Sequence, residues 1–257
     1  MRHIIEIMEN RGMKLKIGLV CLLAVLSLAG CRGMGVPFNS IEGSGTMVSE
    51  KRVVQDIQGV TLATVGELDI QLGEEESLYM EMEDNLLPHI VITVEDGMLT
   101  IQQKKNVTIV PSLPVRYVLT VKQLDALIAS GSGNVSAPVL QAKAFEIAIN
   151  NRGNIHLAGL TADTLEVEIN SVGSLQIDQG SVNQQSVILN SAGNYDAENL
   201  YSVNAKVQVN SSGNARLWVK HRLDAKLGSS GSVYCYGDPA ILKEISASGD
   251  VIPLGEK

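Results

Sequence analysis

The second half of the chain repeats one alternation of apolar and polar positions about every 20 residues. Around each of seven glycines, apolar side chains stand mostly four and six residues before and two and four residues after, with polar residues between them. Alternation with a period of two is typical of half-buried strands. The pattern therefore predicts two strands in each repeat, joined at the glycine. The positions two residues after the glycines are Val135, Ile155, Leu175, Tyr195, Ala215, Val233 and Val251.

The glycines are spaced by 20 residues, and the spacing shortens to 18 in the last two intervals. A repeat of this length is too short for a pair of helices, and it lacks the Leu-x-x-Leu-x-Leu frame of leucine-rich repeats. It fits one coil of a parallel β-helix, in which each coil buries its apolar edge against its neighbours. We therefore predict an all-β, parallel β-helix or solenoid-like fold. The glycines are Gly133, Gly153, Gly173, Gly193, Gly213, Gly231 and Gly249.

Residues 52–120 show strand-like alternation without a clear repeat. Leu68, Ile70 and Leu72 alternate with polar residues, and the segment 90–101 predicts a strand, an Asp-Gly turn and a second strand. We therefore predict one domain over residues 52–255, with a β-rich opening at 52–120 and the coils at 121–255. The hairpin and the Pro-containing segment 251–254 are expected to cap the two ends.

A column of polar residues accompanies the glycines, and we predict that it is structural. Asn150, Asn170, Asn190 and Asn210 stand three residues before their glycines, and a second Asn or Ser follows most glycines directly. Stacked amides hydrogen-bond along such a column, and glycine would supply the positive φ of the corner. The alternative is that the amides hold sugar hydroxyls. The phrase lacks the Gly-Gly-x-Gly-x-Asp pattern of calcium-loaded coils, so we expect no metal there.

Aromatic residues point outward in consecutive coils near the end of the array. Trp218 and Tyr236 stand five residues after their glycines, while Arg216 and Tyr234 stand three residues after theirs. By the parity of the strands all four face solvent, so they are candidate contacts for a sugar ring or a partner protein. The alternatives are lateral stacking that shields the sheet and a contact between subunits.

The first 30 residues have the features of a signal peptide. Met13 begins a basic segment and is the expected true start, and the apolar run that follows is shorter than the roughly 20 residues of a spanning helix. The sequence Leu-Ala-Gly before Cys31 resembles the lipobox of bacterial lipoproteins. This resemblance implies a lipid on Cys31, and Arg32 favours the outer membrane. The alternative is an ordinary signal peptide with an incidental cysteine. Residues 31–51, rich in Gly and Ser, are expected to form a flexible tether.

The net charge argues against a nucleic-acid-binding protein, and the cysteine count argues against a disulfide-rich one. The net charge is −8, and without residues 1–30 there remain 16 Lys and Arg against 26 Asp and Glu, which gives −10. Such a charge disfavours nucleic acid as a partner. After the leader is removed and Cys31 is acylated, Cys235 has no cysteine left to pair with, so no disulfide framework is expected.

No catalytic constellation is present in the sequence. His89, His156 and His221 fall at unrelated phases of the repeat, and no Gly-x-Ser-x-Gly elbow occurs. Asp178 and Glu198 stand at one phase of the repeat, and the nearest basic residues by phase are Arg216 and Arg222. This arrangement is a weak basis for a polysaccharide lyase. We therefore predict no catalytic residues, no cofactor and no enzyme activity.

The segment from Leu124 to Val135 and the returning Asn/Ser-x-Gly-Asn phrases resemble the head GIN domain, also known as the domain of unknown function DUF2807. The upstream segments 57–60, 68–73 and 95–101 resemble the opening of the same domain. The resemblance covers about residues 52–255 and implies an adhesin-type lipoprotein of Gram-negative bacteria, with no catalytic residues. It implies a lipid-anchored binding or adhesion module in the cell envelope, with a glycan or protein as ligand. The alternatives are a structural protein that assembles with copies of itself and, more remotely, a carbohydrate-active enzyme.

Overall fold

The computed structural model describes residues 39–257, which form an almost wholly β structure with a single 3-10 turn at Leu87–His89. The all-β prediction is confirmed. Cys31, the leader and residues 31–38 of the predicted tether lie outside the described residues. The strands are β1 (Asn39–Glu42), β2 (Met47–Val53), β3 (Gly59–Ala63), β4 (Glu67–Leu72), β5 (Ser77–Glu83), β6 (Ile90–Glu95), β7 (Met98–Gln103), β8 (Val107–Val110), β9 (Arg116–Val121), β10 (Ala126–Ala129), β11 (Asn134–Ile149), β12 (Ile155–Ile169), β13 (Leu175–Ile177), β14 (Gly180–Leu189), β15 (Tyr195–Val209), β16 (Ala215–Leu227), β17 (Val233–Tyr236), β18 (Ala240–Ile245) and β19 (Val251–Gly255).

From β10 onward the chain winds as a parallel β-solenoid with coils of about 20 residues, as the sequence predicts. The long strands bend around corners. The start of β11 pairs with β4 and its end pairs with β10, so this one strand covers more than one side of a coil. Successive coils pair in parallel with a register of 20 residues, as in Val135 with Ile155 and Ile155 with Leu175.

The first coils are not stacked in the order of the sequence. β3 and β4 pair in parallel with β10 and β11 on one side, and with β7 and β9 on the other. The coil at 59–72 therefore lies between the coil at 98–121 and the coil that begins at 126. Antiparallel strands close this end, because β6 pairs with β7, β5 with β9, and β2 with β5. The predicted hairpin is the β6–β7 pair, with positive φ at Asp96 and Gly97.

The interior is a stack of aliphatic side chains, and it follows the parity expected from the sequence. All seven residues at the position two after the glycine are buried, from Val135 to Val251. The pattern fails in the final coil, where Lys243 and Pro253 occupy inward phases but are exposed, and Ile245 is 36% exposed. Among the described residues this coil pairs with a neighbour on one side only, so its side chains lack the second coil that would cover them.

The expected tether is wrong for residues 39–51. β1 pairs with β8, and β2 pairs along its whole length with β5, so these residues belong to the folded domain. The expectation of a positive φ at the repeat glycines is also wrong, since the glycines with positive φ lie elsewhere, for example at Gly180 and Gly237. The repeat glycines are needed for close approach: a Cβ atom on Gly153 would lie 2.2 Å from the carbonyl oxygen of Gly133.

Within residues 39–257, no helix is long and apolar enough to cross a membrane.

Candidate functional site

One outward column of side chains changes from polar to aromatic along the solenoid. Strand register places each residue of the column beside the next, and five consecutive pairings connect them. The polar members are exposed and the three aromatic members are half-buried. We call this set the flank column, and its residues in order are Gln141, Thr161, Ser181, Tyr201, Trp218 and Tyr236.

Trp218 reaches the flank column because its coil is shorter than the previous one. Counting from the glycines aligns Trp218 with Glu198, but the register jumps between Ala197 and Tyr201, so that Trp218 pairs with Tyr201. The loss of corner residues brings the two rings together. Their centroids are 5.2 Å apart and their planes are inclined by 84°, which is the edge-to-face geometry that aromatic pairs favour. The sequence spacing alone did not point to Tyr201.

Lys257 lies over the aromatic end of the flank column. Its Nζ atom is 4.7 Å from the ring centroid of Tyr236 and 6.0 Å from that of Trp218. Nζ donates hydrogen bonds to the carbonyl oxygen of Glu198, at 2.7 Å, and to Oδ1 of Asn199. The Glu198 carboxylate is 4.0 Å away. The sequence analysis missed Lys257, since nothing in the repeat indicates where residues after the last coil will lie.

A turn at Gly255 brings Lys257 to this position. β19 pairs with β17 from Val251 to Gly255, with a register shift before Tyr236, and the amide of Gly237 donates to the Gly255 carbonyl at 2.8 Å. Gly255 has φ 87°, a left-handed conformation that glycine adopts without steric cost. The two residues that follow Gly255 can therefore leave the strand direction and reach Asn199.

A polar groove runs beside the other end of the flank column. Its volume is about 800 Å³, and its walls carry hydroxyl, amide and charged groups with few apolar side chains. Among the lining residues, Asn183 Nδ2 donates to Asp163 Oδ1 of the preceding coil at 3.1 Å. Such a surface can form many hydrogen bonds with a polar ligand, and Tyr201 gives it one aromatic wall. The lining includes Asp125, Gln141, Lys143, Thr161, Asp163, Ser181, Asn183 and Tyr201.

The other two predicted contact residues, Arg216 and Tyr234, lie together in the next outward column of the same face. The guanidinium carbon of Arg216 is 5.8 Å from the ring centroid of Tyr234. Arg216 Nη1 lies 3.4 Å from Asp196 Oδ2 and 3.8 Å from Glu198 Oε2. The structure therefore separates the four predicted residues into two pairs, and it gives Arg216 acidic partners from its own chain.

A buried network of polar side chains supports the backbone of Trp218. Tyr195 Oη donates to Gln185 Oε1 at 2.7 Å, Gln185 Nε2 donates to Ser202 Oγ at 2.7 Å, and Ser202 Oγ donates to the Trp218 carbonyl at 2.7 Å. Burial raises the pKa of Tyr195 well above its ordinary value, so the hydroxyl remains a donor. The network links side chains of β14 and β15 to the backbone of Trp218 in β16.

The four asparagines of the predicted ladder do bond to one another. Nδ2 of Asn170 donates to Oδ1 of Asn150 at 2.9 Å, that of Asn190 to Asn170 at 2.7 Å, and that of Asn210 to Asn190 at 2.6 Å. We call these residues the Asn ladder. Asn170 and Asn190 each use one of their two N–H donors and one of their two acceptor positions within the Asn ladder, at the corners of the coils.

Glu83 is a buried carboxylate that the sequence analysis did not single out. It accepts hydrogen bonds from the amides of Gly45, at 2.8 Å, Ser112, at 2.9 Å, and Leu113, at 3.3 Å, and from the Ser112 hydroxyl. The Ser112 hydroxyl and these amides hold the pKa of Glu83 below its ordinary value. Glu83 thereby joins the loop between β1 and β2 to the loop after β8, which is a structural role.

Among residues 39–257, no group of three or more His, Cys, Asp or Glu side chains is placed to hold a metal ion. Cys235 is buried, and burial raises the pKa of its thiol to about 11, so it is protonated at neutral pH and a poor nucleophile. Nε2 of His156 lies 2.7 Å from Asp178 Oδ2, and this contact lowers the pKa of Asp178.

Comparison with known proteins gives one family and several similar folds. A family model described as "Putative auto-transporter adhesin, head GIN domain" matches residues 56–239. A solved "putative adhesin" from Bacteroides fragilis has a TM-score of 0.75 and 21% identity, over 83% of this chain and 99% of its own.

Two proteins of Parabacteroides distasonis share the fold. One, called a "putative lipid binding protein", has a TM-score of 0.65 and 23% identity over 84% of this chain and 100% of its own. The other, a "putative adhesin", has a TM-score of 0.62 and 22% identity over the same shares. Likeness at this level of identity establishes the fold alone. No curated protein matches the chain.

Proposed function

Because the chain belongs to the head GIN domain family, we propose that it is a binding or adhesion module of the bacterial cell envelope, without catalytic activity and held to the outer membrane by lipid on Cys31. The family description and the names of two similar structures refer to adhesins, which supports an envelope location and a binding role. The lipid anchor is supported by the lipobox-like sequence before Cys31. The ligand is a glycan or a protein.

The flank column is the observation that carries this proposal. It joins a groove rich in hydrogen-bonding groups to a row of three aromatic rings on one exposed side of a rigid scaffold. Aromatic rings with a polar edge offer large contact area at low conformational cost, which is why they are enriched where proteins bind ligands. In the next outward column, Tyr234 is a single aromatic ring with the Arg216 guanidinium 5.8 Å from its centroid. We place the ligand contact at Tyr201, Trp218 and Tyr236.

The test is binding of the full-length protein, solubilised in detergent, to an array of glycans and extracellular matrix proteins. Trp218→Ala should reduce binding to the best ligand by about tenfold or more while the melting temperature changes little, since removal of one central aromatic contact commonly costs at least 1.4 kcal/mol. Tyr79→Ala, an aromatic change on β5 away from the flank column, is the matched control. Undiminished binding by the Trp218 variant would contradict the proposal.

The anchor has its own test in cells that express the full chain. Cys31→Ala should abolish incorporation of labelled palmitate and should move the protein out of the membrane fraction, because a protein with two or three acyl chains is stably anchored. Cys235→Ala is the matched control and should leave both measurements unchanged. Protease treatment of intact cells then distinguishes the two faces of the outer membrane. Continued membrane retention of the Cys31 variant would overturn lipid anchoring at this residue.

Self-assembly is a second candidate, supported by the end of the solenoid. All six residues of β18 are exposed, with Leu242 at 62% and Ile241 at 38%, and within the described residues β18 pairs with β16 alone. An exposed apolar edge strand is a template for another chain. Pro253 protects the neighbouring edge of β19, since it cannot donate to a further strand. Sedimentation over a range of concentrations should then show oligomers that Leu242→Lys disrupts; monomers at every concentration would exclude this candidate.

A further inference from the structure

Lys257 is surrounded by groups that together suit an ammonium ion. The rings of Trp218 and Tyr236 approach its Nζ atom from one side, and the oxygens of Glu198 and Asn199 accept its hydrogen bonds. We call Glu198, Asn199, Trp218 and Tyr236 the ammonium cage. The face of an aromatic ring carries negative potential, and ammonium is the cation that offers three donors from a single point. The chemistry of the cage is therefore selective for an amine in its charged form.

The occupant of the cage can leave without disturbing the solenoid. The strand pairing of β19 ends at Gly255, and among the described residues the hydrogen bonds and the ion pair between residues 256–257 and the flank all involve the Lys257 Nζ atom. Glu256 is exposed. Departure of Lys257 would uncover Trp218 and Tyr236, which the proposed function places at the ligand contact, so the cage and the binding surface share two residues.

We propose that the ammonium cage is a binding site for a lysine side chain of a partner protein, and that Lys257 occupies it until the partner binds. This inference rests on the proposed function, because it names the partner chemistry of the same surface. The Lys257 ammonium reaches the Glu198 carbonyl while 22% of its side chain is exposed. The flexible four-carbon chain of a lysine can place its ammonium group beside the Glu198 carbonyl. An amino sugar carries its amine directly on the ring, so the whole ring would have to enter the cage.

Occupation by Lys257 should weaken the apparent affinity for any external amine. A tethered group competes at an effective concentration in the millimolar range. If the cage is open in about a tenth of the molecules, the apparent dissociation constant rises about tenfold above that of a permanently open cage. Lys257→Ala opens the cage and should restore the intrinsic affinity.

The experiment uses the fluorescence of Trp218, the only tryptophan in the sequence. The full-length protein in detergent is titrated with Nα-acetyl-lysine amide, with its norleucine counterpart, which has no amine, and with glucosamine. The lysine compound should shift the emission of the Lys257→Ala protein at concentrations about tenfold lower than for the wild type. Lys226→Ala, which removes an exposed lysine on another face, should behave as the wild type does.

Four results would overturn the inference. Equal affinity of the Lys257→Ala and wild-type proteins for the lysine compound would show that Lys257 does not compete. Equal binding of the norleucine compound would show an apolar platform with no preference for ammonium. Tighter binding of glucosamine would assign the cage to an amino sugar. The variant Lys257→Ala with Tyr236→Ala should lose binding of the lysine compound and keep the melting temperature of the single variant; retained binding would place the compound elsewhere.

The inference and the proposed function can fail separately. If Trp218→Ala abolishes binding to an array ligand while the lysine compound fails to bind the Lys257→Ala protein, the binding function stands and the cage does not. If the lysine compound binds that protein while the wild type recognises nothing on the array or on cells, the cage stands and the proposed function does not.

Discussion

A Cβ atom placed on Gly193 would lie 2.2 Å from the carbonyl oxygen of Gly173, one coil away. The same contact recurs at every later repeat glycine, for example at 2.1 Å between Gly213 and Gly193. Both partners are backbone in a paired coil, so neither can yield without separating the coils. The glycines thus set the distance between neighbouring corners, and φ is not the reason for their presence.

Gly193→Ala should therefore destabilise the domain by about 1–3 kcal/mol or more, because the added methyl group overpacks two backbone segments. Gly228→Ala is the matched control, since a Cβ atom there would meet only the Val209 carbonyl at 3.8 Å. Urea denaturation followed by circular dichroism measures both variants. A Gly193 variant as stable as the Gly228 variant would mean that the coils can separate at little cost.

Asn170→Ala should lower the free energy of unfolding by about 1 kcal/mol, because Asn170 both donates to Asn150 and accepts from Asn190 in an exposed setting. Asn170→Asp should be at least as damaging, since it keeps the acceptor but turns an oxygen toward Asn150 Oδ1. Asn204→Ala, outside the Asn ladder, is the control. If all three variants unfold at the same urea concentration, the Asn ladder contributes nothing to stability.

Ser202→Ala should cost about 1–3 kcal/mol, because it leaves the buried Nε2 of Gln185 and the Trp218 carbonyl without the partners that Ser202 supplies. The change also frees the backbone of Trp218, so the emission of this single tryptophan should shift in the folded state. Ser186→Ala, a half-exposed serine that follows Gln185 in β14, is the control. Unchanged stability and emission in the Ser202 variant would indicate that the network does not support the aromatic pair.

Glu83→Gln should destabilise the domain at neutral pH and should alter its response to acid. The pKa of Glu83 is lowered from 4.5 in the folded protein. Its stabilisation is therefore complete above the unfolded-state pKa and is lost as the pH falls through the lower, folded-state pKa. The stability difference between wild type and variant should narrow as the pH drops below about 4.5. Thermal melts over this range provide the measurement, with Glu95→Gln as the control; parallel curves for all three proteins would refute this role.

The alternation of strand residues predicted one part of the candidate site and missed another. Strand alternation correctly indicated that Trp218 and Tyr236 face outward in adjacent coils, because successive side chains of a strand point to opposite faces. It could not indicate that Tyr201 stands beside Trp218. That neighbour depends on which corner residues the shorter coil omits, and a corner can lose residues at several places without disturbing the strands on either side.

The sequence by itself determined the solenoid, because glycine, polar corner residues and inward apolar positions that return every 18–20 residues can bury their apolar face only by stacking coil on coil. The tertiary structure decided the order in which the first coils stack, the enclosure of Glu83 and the placement of Lys257 over Tyr236. These features bring together residues that are far apart in the sequence, such as Glu198 and Lys257. Their contacts depend on the paths of loops, which local propensities do not determine. The repeat therefore fixes the scaffold, while contacts between distant loops fix the surface that binds.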